Sequence, residues 1–226
     1  MRTADWTDSV TVLDRLTAVL EAFGDDDAEL GVTELARRAN LPKSTVSRIA
    51  ADLTRQGCLD HLDGRLGLGA KLFELGNAVE GPRVLREAAL PVMAGLREAI
   101  GQTVYVAVVE GMDVVTICIV RSRSSQASAA AIGMRRPADA SPYGRTIFAC
   151  ATRESAERVA GAAVERSEST HRGTWVASPI VGAASEVLAV LAIDVAGAHI
   201  NSDDAALDVR AAALAISRRL TALRSN

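Results

Sequence analysis

The stretch Thr33–Gly57, TELARRANLPKSTVSRIAADLTRQG, decides the fold. It reads as two helices joined by a tight turn. Leu35, Ala36 and Ala39 line one face of the first, and Val46, Ile49, Ala50 and Leu53 line one face of the second, at helical spacing. Asn40-Leu41-Pro42 interrupts the pattern, and a proline suits the first turn of a helix, where a missing N–H costs little. The second helix turns Lys43, Ser44, Thr45, Ser47, Arg48 and Arg55 outward. Short hydroxyls and long cations reach phosphates and base edges when a helix lies in a major groove. The stretch is read as a DNA-binding helix-turn-helix. A solvated charged face on an ordinary helix pair is the plainer alternative, and the flanks decide between them.

Downstream, Cys58–Leu62 and Arg65–Leu68 alternate around Asp63-Gly64. Such a dipeptide is a strong hairpin signal, because both turn positions need positive φ. Upstream, Val12, Leu13, Leu16, Val19, Leu20 and Phe23 recur at three- and four-residue intervals. They predict a helix over Ser9–Phe23 with a broad buried face, capped by Thr7, Asp8 and Ser9 and closed by Gly24. Three helices and a hairpin make a winged helix-turn-helix over residues 1–68, with Arg65 near the wing tip.

Residues from about Ser9 to Gly76 resemble the DNA-binding domain of the IclR family of bacterial transcriptional regulators. The likeness rests on VTELARRANLPKSTVSRIAADLTRQGCL, the wing exit RLGLG and the run AKLFELG. It implies that Lys43, Ser44, Thr45, Ser47 and Arg48 lie in the recognition helix, with Arg37, Arg38 and Arg65 as supporting phosphate contacts.

Formal net charge is −3, an unusual total for a nucleic-acid binder. The acids of the first eighty residues cluster outside the helix pair, at Asp25, Asp26, Asp27, Asp60 and Asp63. Inside it only Glu34 and Asp52 oppose Arg37, Arg38, Lys43, Arg48 and Arg55. Local charge within a Debye length of roughly 8 Å matters more than the total.

Residues 69–81 read as a linker helix, Lys71–Val79, ended by Gly81-Pro82. A longer helix over Arg83–Ile100 follows, kinked at Pro91. Exposed apolar residues on the linker suit pairing of two chains, and a two-fold operator demands paired recognition helices.

From residue 82 to 226 strands and helices alternate. Gln102–Glu110 and Asp113–Arg121 predict an antiparallel hairpin about Gly111-Met112, and Gln126–Gly133 a weaker strand. Gly144–Ala151 and Arg153–Glu165 read as helices, and Gly173–Val181 and Glu186–Val195 as a second strand pair. A last helix starts at Ser202, carries Asp203 and Asp204 in its first turn, and ends with Arg218 and Arg219. The fold class is α+β: winged helix-turn-helix, linker helix, then an α/β sandwich with an antiparallel sheet.

This second domain resembles the GAF-like effector-binding and oligomerisation domain of the same family, through AIGMRRPADASPYGRTIFA, TWVASPIVGAASEVLAVLAIDVAG and the last helix. The family carries a longer segment where this chain has Ala151–Gly173, so part of the pocket wall looks deleted. Members that bind small carboxylates use backbone amides before a helix, a small residue on one strand and serines on the next. Those positions correspond here to Pro142 and Tyr143, Trp175, and Asp194 with Ala196. Proline offers no N–H, and an ionised Asp194 repels an anion at close range. The expected effector is therefore an uncharged or aromatic molecule rather than a simple 2-oxo acid, stacking on Tyr143 or Trp175 with Asp194 as acceptor. The alternative is that Tyr143 and Trp175 fill the shortened cavity themselves.

Hydrophobic residues make up 49% of the 226, enough for packed cores, while aromatics are only 3%. No signal peptide or membrane-spanning run is read, which points to a cytoplasmic protein without membrane contact. Cys58, Cys118 and Cys150 are too scattered for a disulfide framework or metal site, and no cofactor is implied. The expected function is a one-component regulator, in its more frequent family role a repressor. It binds a palindromic double-stranded DNA operator as a homodimer or dimer of dimers under effector control. Two alternatives stand beside it: a ligand-independent DNA-binding protein whose second domain only oligomerises, and a thiol-based enzyme on Cys118 or Cys150.

Overall fold

The computed structural model describes residues 11–24, 29–123, 131–152, 167–169, 173–195 and 202–224. It divides into two compact units, Met1–Val79 and Glu80–Asn226.

In the first unit α1 (Val12–Glu21), α2 (Val32–Arg38) and α3 (Lys43–Arg55) precede the hairpin β1 (Leu59–Leu62) and β2 (Arg65–Leu68), and α4 (Ala70–Asn77) follows. Val19, Leu35, Val46, Leu53, Leu59 and Leu66 form its core, the aliphatic stripes of three helices closed by one face of the hairpin. Asn40 takes a left-handed φ of 52° in the α2–α3 turn, and Pro42 is the cap of α3 rather than part of its first turn. Asp63 and Gly64, at φ 47° and 82°, make a two-residue turn that sets Leu62 opposite Arg65. The wing exit depends on Gly69. A Cβ there would run into the carbonyl oxygen of Gly57, and the Gly69 N–H donates to the Cys58 carbonyl at 2.9 Å.

The start of α1 differs from the expected helix. Its cap is Thr11, whose hydroxyl accepts from the Asp14 N–H while the Asp14 carboxylate accepts from the Thr11 N–H. Thr7, Asp8 and Ser9 lie outside the described residues, as do Asp25, Asp26 and Asp27. Val12 and Leu13 continue the apolar period but are exposed, so the buried face begins only at Leu16.

The second unit runs α5 (Glu80–Ile100), β3 (Val104–Glu110), β4 (Asp113–Val120), β5 (Arg135–Pro137), a 3-10 turn (Ala138–Ala140), α6 (Pro142–Thr152), β6 (Ser167–Ser169), β7 (Gly173–Val181), β8 (Val187–Asp194) and α7 (Ser202–Arg224). The strands form one antiparallel sheet in the order β5-β4-β3-β8-β7-β6. Alternation along each strand sends side chains to opposite faces. Val104, Val106, Val176, Ile180, Leu191 and Ile193 pack against α5 and α7, while Tyr105, Ala107, Trp175, Ala177, Val190 and Ala192 pack on α6. Arg219 donates to the Ala88 carbonyl at 3.1 Å and ties α7 to α5.

Several expectations are corrected here. Gly81 and Pro82 do not end the linker helix; they lie in the first turn of α5, which starts at Glu80, where proline has no helical N–H to lose. Ile132 and Gly133 form a turn, with Gly133 at φ 85°, and the short strand comes later as Arg135–Pro137; 126–130 lie outside the described residues. Pro142 and Tyr143 are not in a loop before α6 but in its first turn. Ser141 sits just ahead of them and accepts the Gly144 N–H on its Oγ at 3.0 Å. α7 continues past Arg218 and Arg219 to Arg224. The helix expected at Arg153–Glu165 lies outside the described residues up to 166, and β6 is described within the stretch expected to be shortened.

Candidate nucleic-acid interface and effector site

On α3 the inward stripe is Val46, Ala50 and Leu53. It leaves Lys43, Ser44, Ser47 and Arg48 exposed on the other side, whereas Thr45 is half-buried. Lys43 and Arg48 enter no ion pair among the described residues. The other cations of the helix pair are engaged. Arg55 pairs with Asp52. Arg37 holds Glu34 by two hydrogen bonds, of 2.9 and 2.6 Å, and Arg38 holds the same carboxylate at 2.8 Å. These bonds, Arg37 first, keep the Glu34 carboxyl down at about 2. Arg38 also donates to the Ala22 carbonyl at 3.2 Å, which fastens α2 to the end of α1. Arg65 is turned from the wing toward the chain before α2, donating to the Glu29 carbonyl at 2.8 Å with the Glu29 carboxylate 3.7 Å away. Leu30 and Leu66 exchange two backbone hydrogen bonds of 2.8 Å, so the wing is tied at its base.

In the second unit Tyr143 and Trp175 meet, with ring centroids 5.0 Å apart. Sequence reasoning missed the third member of the group, Tyr105 on β3, whose ring lies 5.5 Å from Tyr143 and 5.3 Å from Trp175. A signal for it existed: the chain has two tyrosines and two tryptophans, and both tyrosines join one tryptophan here. The Tyr143 hydroxyl lies 3.1 Å from Thr116 Oγ1 on β4. Burial pushes the Tyr143 phenol well above its ordinary pKa, so it is neutral. Half-buried Asp194 stands directly opposite Trp175 in the β7–β8 register. Ala196 lies outside the described residues. The backbone amides at the start of α6 are largely spent. Pro142 has none, Gly144 donates to Ser141 Oγ, and Arg145 donates to the Ser141 carbonyl.

The thiols make poor nucleophiles. Cys118 and Cys150 are buried, and burial pushes the Cys118 thiol up to about 11, against a smaller opposite pull from Arg86. Among the described residues no cluster of His, Cys, Asp and Glu is placed to hold a metal ion, and no helix is long and apolar enough to cross a membrane.

Comparison with known proteins agrees with both units. The IclR helix-turn-helix domain matches residues 12–63, and the bacterial transcriptional regulator IclR C-terminal domain matches residues 82–160. The chain belongs to the IclR family. It is thus a DNA-binding transcriptional regulator and not an enzyme. The transcriptional repressor IclR of Escherichia coli K12 is 31% identical over 162 residues, which span 70% of this chain and 59% of that protein. The HTH-type transcriptional regulator XynR of the same organism is 26% identical over 244 residues, spanning 92% of this chain and 96% of that one. A solved IclR homolog from Microbacterium hydrocarbonoxydans, complexed with 4-hydroxybenzoate, superposes with a TM-score of 0.79 at 25% identity, covering 96% of this chain and 100% of that one.

Proposed function

We propose that the chain is a repressor that binds a palindromic operator as a dimer or dimer of dimers, with α3 in the major groove and operator affinity set by a small molecule. Residues 1–68 read DNA, 69–81 link, and 82–226 bind effector and hold the oligomer. One observation carries the DNA reading: α3 buries one stripe and presents Lys43, Ser44, Ser47 and Arg48 on the other side, with Lys43 and Arg48 in no ion pair among the described residues. Arg37, Arg38 and Arg65 act as flanking phosphate contacts once their acidic partners yield. Exposed Phe73, Leu75 and Val79 at the end of the unit, with Val12 and Leu13 of α1, supply apolar surface for pairing two heads. Arg48→Ala is expected to lower discrimination between operator and random DNA by about 1–3 kcal/mol, the worth of one bidentate base contact. Unchanged affinity and specificity in a gel-shift titration would remove α3 from the role of reading helix.

The effector site lies between α6 and the sheet, with Tyr143, Trp175 and Asp194 as its contacts, Pro142 at its edge and Ala196 just past β8. The spent amides of α6 and the carboxylate of Asp194 argue against a simple 2-oxo acid; the aromatic group argues for an uncharged or aromatic ligand. The 4-hydroxybenzoate held by the Microbacterium hydrocarbonoxydans homolog is consistent with that class. Calorimetric titration with pyruvate and glyoxylate is expected to give no heat of binding, and micromolar affinity for either would sink this assignment. The mutual packing of the three rings favours a second reading, in which the unit only oligomerises. A gel-shift screen against catabolic intermediates separates the two, since only the first has any metabolite change operator affinity.

A further inference from the structure

Resting on the effector reading above, we propose that Tyr143 is a resident occupant of the effector site, held where a neutral phenol would sit and displaced when one binds. The ring and hydrogen-bond partners of Tyr143 among the described residues come from the sheet. Tyr105 on β3 and Trp175 on β7 meet it at tilts of 54° and 57°, with ring centroids 5.5 and 5.0 Å away, within the distance range of interacting aromatic pairs. Thr116 on β4 meets its hydroxyl at 3.1 Å. The sheet therefore offers two rings and one hydroxyl, complementary to a single para-substituted phenol. Tyr143 alone comes from α6, and from its first turn, where residues lack helical hydrogen bonds through their N–H groups.

A para-alkyl phenol is the tyrosine side chain without its backbone. Exchanging one for the other keeps the ring contacts and the hydrogen bond to Thr116. Burial favours the neutral form of whatever phenol fills the slot. A second observation points to a ligand. Thr146 is the neighbour of Tyr143 one turn along the same helix face, is 1% exposed, and its Oγ1 has no hydrogen-bond partner among the described residues. A phenol with a polar substituent beyond the ring would reach an atom that the tyrosine leaves unpaired.

The probe is p-cresol, with toluene as control, followed by calorimetry and by Trp175 fluorescence in a Trp6→Phe background. Tyr143→Ala is expected to bind p-cresol about 10-fold or more tightly than the unsubstituted chain, because the competing state is gone. It should prefer p-cresol to toluene, and Thr116→Val in the same background should abolish that preference. Should Tyr143→Ala fail to fold, Tyr143→Phe keeps the ring and drops the hydroxyl, and a gain of about 3-fold in p-cresol affinity is expected from the lost hydrogen bond. Equal affinity for p-cresol across the unsubstituted chain and the folded Tyr143 variants, or no preference over toluene, overturns the proposal. Operator gel shifts separate its failure from that of the underlying reading. Binding of p-cresol to Tyr143→Ala without any change in operator affinity supports the slot and overturns its role as effector site. An operator response to another metabolite, with p-cresol affinity indifferent to residue 143, overturns the slot and leaves effector control standing.

Discussion

The two working surfaces of this chain are made in opposite ways. The α3 face is local: consecutive turns of one helix carry the core stripe on one side and Lys43, Ser44, Ser47 and Arg48 on the other. The α6 face is assembled from afar, with Tyr105, Thr116, Tyr143 and Trp175 brought together from β3, β4, α6 and β7. A surface of the first kind survives as long as its helix is held in place. One of the second kind is sensitive to the approach of a single element, because each ring is positioned by a different one.

The largest expected effects test that contrast with one substitution in each unit. Gly69→Ala puts a methyl group against the Gly57 carbonyl, and Gly144→Ala puts one 2.5 Å from the Ala138 carbonyl, backbone that cannot step aside cheaply. Each is expected to cost about 1–3 kcal/mol of stability in urea unfolding. The readouts should part. Gly69→Ala should cut operator binding and leave Trp175 fluorescence as it was. Gly144→Ala should shift Trp175 fluorescence, because α6 moves off the sheet, and leave operator binding of the effector-free chain intact. Loss of operator binding in both variants would mean that the reading head depends on how α6 sits on the sheet even without effector, and the contrast would fall.

How far each surface could be read from the sequence follows the same division. The stripe at Leu35, Val46, Ala50 and Leu53, and the turn at Asp63-Gly64, are short-range signals, and the core of the first unit lies where they put it. The sheet order around β3 and β8 is not of this kind, because two hairpins join edge to edge, pairing Val104 with Ile193 and Ala107 with Val190, and no local signal states that pairing. Tyr105 is hidden for that reason: within β3 it is one apolar position among valines, and only the sheet brings it to Trp175. Ion pairs are hidden in the same way. Arg38 has the composition of a phosphate contact, yet it spends its guanidinium on Glu34 and the Ala22 carbonyl.

A smaller effect, of opposite sign, is expected at Thr146. Its hydroxyl is buried without a partner among the described residues, and valine has nearly the same shape without the polar atom. Thr146→Val should stabilise the chain by about 1 kcal/mol in urea unfolding followed at Trp175. Such a gain marks a position where stability was left aside for binding, a mark that no residue of the α3 core stripe carries. Destabilisation would mean that the hydroxyl is satisfied by water, and Thr146 would join the ordinary core.

The smallest effect bears on whether α3 works alone. Glu34 holds Arg37 and Arg38 together, and with its carboxyl down at about 2 it keeps its charge at any pH where operator binding is measured. The sign follows from the depressed value: the carboxylate contribution is complete above the ordinary carboxyl range and is lost only as pH falls toward about 2, so acidification to pH 5 frees neither arginine. Glu34→Gln frees both by removing the charge. The change should lower stability slightly, since Glu34 also sits in the first turn of α2, where an anion is favoured. If the two arginines face phosphate, operator affinity at low salt should nevertheless rise about 2- to 5-fold, with a plot of log affinity against log salt steeper by about two. Unchanged affinity and slope would leave Lys43, Ser44, Ser47 and Arg48 as the whole of the reading surface, which makes the first unit more local in its working than its basic composition suggests.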